Sequence, residues 1–238
     1  VSRFFDRINR PEQLIPSLLS AMRVLTDPAE TGAVTIAMPQ DVQAEVFDWP
    51  VELFRKRVWH VRRPVPEPAA LERAVALIKA AKRPLIIAGG GTIYAGASEE
   101  LRALATATGI PVGDTQAGKG AINFDHPSAV GGVGSTGCDS GNHIADKADL
   151  IIGVGTRYSD FTTASKTQFK NPDVTFVNIN VTPFDAAKES AEMVVADARE
   201  ALAALREALA DYRVETAYSE EITAEKEAWL KATERCYH

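Results

Sequence analysis

A chain of 238 residues that is 45% hydrophobic and 24% charged has the apolar content of an ordinary globular protein, which excludes the disordered and collagen-like classes. Its net charge of −6 is spread along the chain rather than gathered, so no basic stripe invites nucleic acid. The two cysteines, Cys138 and Cys236, lie far apart and outside any metal-ligand spacing, which argues against a zinc site or disulfide framework and for a reducing, cytoplasmic setting.

No apolar run reaches the roughly 18 residues of a membrane span, so no membrane partner is expected. The first residues, Val1-Ser2-Arg3-Phe4-Phe5-Asp6, lack the organisation of a signal peptide and carry no initiator methionine. The chain reads as a piece of something larger.

From Pro11 to about Thr26 the apolar positions Leu14, Leu18 and Met22 recur every four residues, with Pro11 suited to a first helical turn, and predict one amphipathic helix. A strand, 33–38, stops at Pro39. One helix and one strand cannot enclose a core, so residues 1–50 are expected to be the end of a domain whose start is absent. Residues 51–67 include Val58-Trp59-His60-Val61-Arg62-Arg63-Pro64-Val65-Pro66-Glu67-Pro68, whose prolines predict a stiff extended linker.

Beyond it the pattern alternates. A helix is expected over 68–82 with Leu71, Val75 and Ile78 on one face, then a strand over 85–88 and a helix over 98–108 stopped by Gly109. Strands follow at 110–113, 129–131, 150–154, 174–179 and 193–196, with helices over 142–147 and 198–209. Six short strands alternating with helices over 68–210 predict an α/β fold, a Rossmann-like six-stranded parallel sheet with helices on both faces, flanked by remnants of neighbouring domains. Residues 211–238 turn polar, with helical periodicity at Ile222, Trp229 and Leu230. They read as a linker toward a further domain.

The candidate chemistry gathers where strands end. Gly89, Gly90 and Gly91 follow the strand at Leu85, and three residues without side chains would let a phosphate or ribose lie against backbone N–H groups. The alternative is a tight connection that needs positive φ and nothing more. Gly155, Thr156 and Arg157 close another strand, the guanidinium suiting a phosphate or carboxylate, or an ion pair with Asp160. Thr115 and Gln116, followed by Lys119, sit after a third strand and would face the same crevice. Such crevices at the carboxyl edge of a parallel sheet are where α/β folds bind ligands.

Cys138-Asp139-Ser140-Gly141-Asn142-His143 places a thiol beside an imidazole. A cysteine nucleophile with its base is one reading, but such pairs are recognised by geometry rather than by local crowding. A loop capping a helix that starts near Asn142 is the other. His60, His126 and His238 show no partner pattern.

Taken in order, these motifs resemble the central domain of the thiamine-diphosphate-dependent enzymes of the acetohydroxyacid synthase and pyruvate oxidase group. Gly32-Ala33-Val34-Thr35-Ile36-Ala37-Met38-Pro39-Gln40-Asp41-Val42 is similar to the closing strand and Pro-x-Asp-Val exit of that group's pyrimidine-binding domain. The resemblance continues through Arg83-Pro84 and the glycine triplet, Gly118-Lys119-Gly120, Ala148-Asp149-Leu150-Ile151-Ile152, Gly155-Thr156-Arg157 and Val177-Asn178-Ile179-Asn180. It covers about Arg3 to Ala210. Within the group, residues 115–119 and 155–167 are most similar to a branch of hydrolases that opens the ring of a cyclic diketone in inositol breakdown. A carboligase like acetohydroxyacid synthase is the alternative within the group.

The resemblance implies a thiazolium ylid that attacks a carbonyl, C–C cleavage with the cofactor as electron sink, and release of the acyl product by water. It also implies a homo-oligomer, dimer or tetramer. The group's activating glutamate belongs to its first domain and its thiamine diphosphate and Mg²⁺ to a Gly-Asp-Gly motif in the third. Neither is in this sequence, so no catalytic or metal-ligating residue is assigned and the piece alone is expected to be inactive. Some relatives hold FAD or ADP in the central domain, at positions matching 89–91, 115–117, 131–134 and 155–157. Here Asn178 and Asn180 stand where those binders carry an acid for the ribose hydroxyls. A non-catalytic nucleotide-binding module and a purely structural crevice are the alternatives.

Overall fold

The computed structural model describes residues 2–237, which fall into two units, one ending at Arg63 and one beginning at Pro64. His238 lies outside the described residues.

In the first unit, β1 (Phe4–Arg7) pairs in parallel with β2 (Val34–Ala37), Phe4 opposite Val34, and α1 (Leu14–Leu25) joins them. β1 carries little sequence signal because it is four residues long and half of them are charged. The expected stripe of α1 is corrected: Ser17 and Ala21 are its buried residues, whereas Leu18 is 38% exposed. A polar contact sets that rotation. The Ser17 hydroxyl and the Gln13 amide (2.9 Å) both donate to Asp6 on β1, and the Ser17 bond is the larger cause that holds the Asp6 carboxyl below the usual range. A single-turn helix, α2 (Gln40–Gln43), follows.

The second unit opens with α3 (Pro68–Ala80), Pro68 at its first turn, where its missing N–H costs nothing. Six strands follow: β3 (Pro84–Ala88), β4 (Val112–Asp114), β5 (Ala129–Gly132), β6 (Leu150–Val154), β7 (Thr175–Asn180) and β8 (Glu192–Val195). All pair in parallel, in the order β5-β4-β3-β6-β7-β8. Every residue of β3 and β6 is buried, as central strands covered on both faces require, and this is why they read as unbroken apolar runs. β4 starts at Val112, two residues later than expected, because Pro111 has no N–H to donate to a ladder.

The helices are α4 (Gly90–Tyr94), α5 (Ser98–Thr108), α6 (Asp139–Lys147), α7 (Asp160–Thr163), α8 (Pro183–Ala186), α9 (Ala198–Ala208) and α10 (Thr216–Tyr237). α5 lies between β3 and β4 and α6 between β5 and β6, connections that run in opposite directions along the sheet, so right-handed crossovers place the two helices on opposite faces. Accordingly α3 and α5 both pack against α9, and α6 packs with α10. Gly109, at φ 72°, ends α5 as expected.

Residues 211–238 depart from the linker expectation. Val214, Tyr218 and Ile222 are buried in the same core as β3 and β6, and the Tyr218 hydroxyl donates to the Pro84 carbonyl at 3.2 Å. Glu221 and Glu225 of α10 meet Arg83, Lys147 and His143 at 2.9–3.2 Å. The helical periodicity belongs to this unit.

The strand order reverses between β3 and β6, and there the chain touches itself backbone to backbone. Gly89 N–H donates to the Val154 carbonyl at 2.8 Å and Gly91 N–H to the Gly155 carbonyl at 2.9 Å. A Cβ on Gly89 would lie 2.3 Å from the Gly155 oxygen, one on Gly91 2.7 Å from the Gly155 Cα, and one on Gly118 2.0 Å from the Ala88 oxygen. Gly89 and Gly91 are glycine for closeness. Positive φ falls instead at Gly155, φ 57°.

Gly89→Ala should therefore force two strand ends apart, a misfit of roughly 1–3 kcal/mol that lowers Tm by about 2–12 °C in a unit of this size. Gly96→Ala is the control: Gly96 has φ 64° but nothing within 4 Å of its Cβ position, so only the left-handed backbone cost of about 1 kcal/mol applies. Thermal unfolding followed by circular dichroism separates the two, and equal losses would remove the close-approach account.

Candidate ligand site

The eight residues singled out from the sequence all stand at the carboxyl ends of three neighbouring strands, but they divide into two settings. Gly89, Gly90, Gly91, Gly155, Thr156 and Arg157 gather at the β3–β6 reversal, the position where such sheets usually open a crevice. Thr115 and Gln116 lie beyond β4.

At the reversal the polar groups are largely used internally. The Gly89 and Gly91 amides are bonded to β6 as described, and α4 is a single short turn with little summed dipole. Thr156 Oγ1 accepts the Tyr158 N–H at 3.3 Å, and the Thr156 carbonyl accepts from Asn180 Nδ2 at 3.1 Å. Asn180 Oδ1 accepts the Thr182 N–H at 3.1 Å. Buried Asn178 accepts the Tyr158 hydroxyl at 2.8 Å and donates to the Ala186 and Lys188 carbonyls at 3.1 and 2.9 Å. The two asparagines thus fasten the loop after β6. Tyr158, at φ 48°, turns inward against Phe169 and Phe176, and burial pushes its phenol far above the ordinary range. Arg157 is exposed and forms no ion pair with Asp160 among the described residues.

Open space lies one strand further out. A cavity of about 660 Å³ sits over the ends of β4 and β5, with Asp114, Thr115 and Gln116 on one side and Lys226, Trp229 and Leu230 of α10 on the other. Thr115 is buried, its N–H on the Ala88 carbonyl (3.0 Å) and its hydroxyl accepting the Gly118 N–H (3.0 Å). Gln116 is exposed. Asp114 is 5% exposed and its Oδ1 has no hydrogen-bond partner among the described residues. Its Oδ2 lies 3.7 Å from the largely solvated Lys119 ammonium. Burial raises the Asp114 pKa against the opposing pull of Lys119 and the Gly120 amide.

The cysteine–histidine pair does not assemble. Cys138 Sγ lies against the Val130 carbonyl and the Ser140 hydroxyl, both at 3.3 Å, whereas His143 Nδ1 bonds Glu225 at 3.0 Å. The adjoining helix begins at Asp139, ahead of Asn142, with no side-chain cap. Asn142 instead holds the Gly134 backbone, accepting at 2.8 Å and donating at 3.1 Å. His126 joins Thr106 and Ser128 across a loop (3.0 and 3.1 Å).

Asp114, Lys226 and Trp229 were not separated from their surroundings by sequence reading. Two signals exist in retrospect: a lone acid on the last residue of an apolar strand, and Lys226, Trp229 and Leu230 at i, i+3 and i+4 on one helix face.

The family described as thiamine pyrophosphate enzyme, central domain, matches residues 71–205. Over all 238 residues the chain is 51% identical to a 3D-(3,5/4)-trihydroxycyclohexane-1,2-dione hydrolase of Bacillus cereus (strain AH820). It is 52% identical over 240 aligned positions to one of Bacillus thuringiensis (strain Al Hakam). In both comparisons the whole of this chain is covered, but only 37% of the relative's length.

Burial of Asp114 carries a stability consequence with a definite sign. A raised pKa means that the folded state holds this proton more tightly than the unfolded chain, so the carboxyl's contribution is complete below the unfolded aspartate range and is lost as pH rises through the folded value. Asp114→Asn should therefore unfold at a higher temperature than the parent at pH 7, with the gap closing as pH falls into the ordinary aspartate range. Thermal melts across that interval check it. A variant less stable at pH 7 would show that the carboxylate is satisfied.

Proposed function

This chain belongs to the thiamine pyrophosphate enzymes as their central domain, and from that membership we propose that it is part of a longer C–C bond hydrolase that opens the ring of trihydroxycyclohexane-1,2-dione. The observation that carries the reading is the 51% identity sustained over all 238 residues to hydrolases of that name. The likeness includes the pieces on either side of the matched central domain, residues 71–205.

When bound, thiamine diphosphate supplies a nucleophilic carbanion and an electron sink for breaking a C–C bond. The residues of this chain do not fit as its seat. The sequence has no Gly-Asp-Gly run, and among the described residues no group of three or more His, Cys, Asp and Glu side chains could hold a metal ion on its diphosphate. In this reading the cofactor and Mg²⁺ are held by other segments of the longer protein. A nucleotide such as FAD or ADP at the β3–β6 reversal is not part of it, because the amides and asparagines that would greet one are bonded to the chain itself.

In the first unit, Val46, Val51, Phe54 and Val58 are apolar and exposed, surface that packing in a homo-oligomer, dimer or tetramer, would cover. The two free cysteines accord with a cytoplasmic setting, and among the described residues no helix is long and apolar enough to cross a membrane.

The test is to express the uncut product and follow ring opening of trihydroxycyclohexane-1,2-dione with and without thiamine diphosphate and Mg²⁺. Turnover is expected only with both, and none from the 238 residues alone. Ligation of 2-oxo acids without ring opening would replace this reading by a carboligase.

A further inference from the structure

We propose that the adjoining loops after β6 and β7 form an isologous contact face for a second copy of this chain, with Phe161 and Phe184 as apolar anchors and Arg157 set against the second copy's Asp160. The inference gives a face to the homo-oligomer named above, but it stands on the loops themselves and not on the reaction of the longer protein.

Backbone conformation singles these loops out. Every non-glycine residue with left-handed φ among the described residues lies in them, five within 158–169 and the others at Glu189 and Ser190. Each carries a steric cost that glycine would escape, and such conformations persist where the surroundings enforce them and a surface is put to use. The enforcing contacts are present. Lys188 Nζ donates to the Arg157 carbonyl at 2.7 Å, Lys166 pairs with Glu189, and Asn178 donates to the Ala186 and Lys188 carbonyls. The two loops are therefore one platform.

That platform carries two phenyl rings into solvent. Phe161 and Phe184, each the second residue of a single-turn helix, are 56% and 85% exposed. Large aromatic side chains are the usual anchors of protein contacts, since each buries much apolar area from one position.

Charge selects the occupant. Lys166 with Glu189 and Lys188 with Asp185 cancel within the platform, which leaves exposed Arg157 and Asp160 without an ion-pair partner among the described residues. One free cation and one free anion on the same loop make a neutral face, which offers nothing to a polyanion and is complementary to itself. A two-fold axis through it sets Arg157 of each copy against Asp160 of the other and brings the phenyl rings of both into the same contact.

Sedimentation velocity of the chain from micromolar to millimolar concentration tests the proposal, and a reversible dimer is expected. Arg157→Asp and Asp160→Arg should each weaken it by about 10-fold or more, because like charges then meet twice across the axis. An equimolar mixture of these two variants should restore the dimer, each supplying the charge that the other has lost. Phe161→Ser combined with Phe184→Ser should abolish it. All four side chains are exposed, so thermal melts of the variants should match the parent, and lost association is then not lost fold. A monomer at every concentration, a dimer that survives the double serine variant or ignores both charge reversals, or a mixture no tighter than either variant alone would overturn the proposal.

Discussion

Two segments far apart in the chain meet at the centre of the sheet with no side chain between them: Gly89 and Gly91 after β3, and Gly155 after β6. Their hydrogen bonds, 2.8 and 2.9 Å, form only because no Cβ keeps the strands' ends apart. Other features follow from this contact. Gly155 takes a left-handed conformation to leave the seam, Tyr158 is turned into the core, and Asn178 and Asn180 on β7 fasten the returning loop. On the other flank the Thr115–Gly118 turn seats itself on the Ala88 carbonyl, again with room for hydrogen only at Gly118.

This seam redistributes the chemistry that the fold usually offers. An order reversal in a parallel sheet normally leaves a crevice with free amides. Here the amides of Gly89 and Gly91 already have carbonyl partners, so ligand-sized space is displaced to the next strand pair, over β4 and β5. There Asp114, a buried carboxyl of the cavity wall, has one oxygen without a hydrogen-bond partner among the described residues.

The second device is α10. Its inward residues complete the core through Tyr218 and Ile222, while its charged flank meets Arg83, Lys147 and His143. The same helix closes the cavity with Lys226 and Trp229. Its polar composition is that of a helix with one narrow buried stripe, which is also the composition of a solvated connector. Periodicity reveals that such a stripe exists but not what it lies against.

The unbroken apolar runs of β3 and β6, the alternation of strands and helices, and Gly109 as a helix stop are local features, and each was legible in the residues because a strand's period or a cap's φ is set within a few positions of itself. The resemblance to thiamine-dependent enzymes was legible for the same reason, since it rests on ordered short motifs. Tertiary structure alone decided that Gly89 and Gly91 face Gly155, that Asn178 and Asn180 are clamps, that α1 buries Ser17 and Ala21, and that Cys138 and His143 point apart. A glycine records that something must come close. What comes close is fixed by pairing between distant strands, and neighbouring residues carry no trace of it.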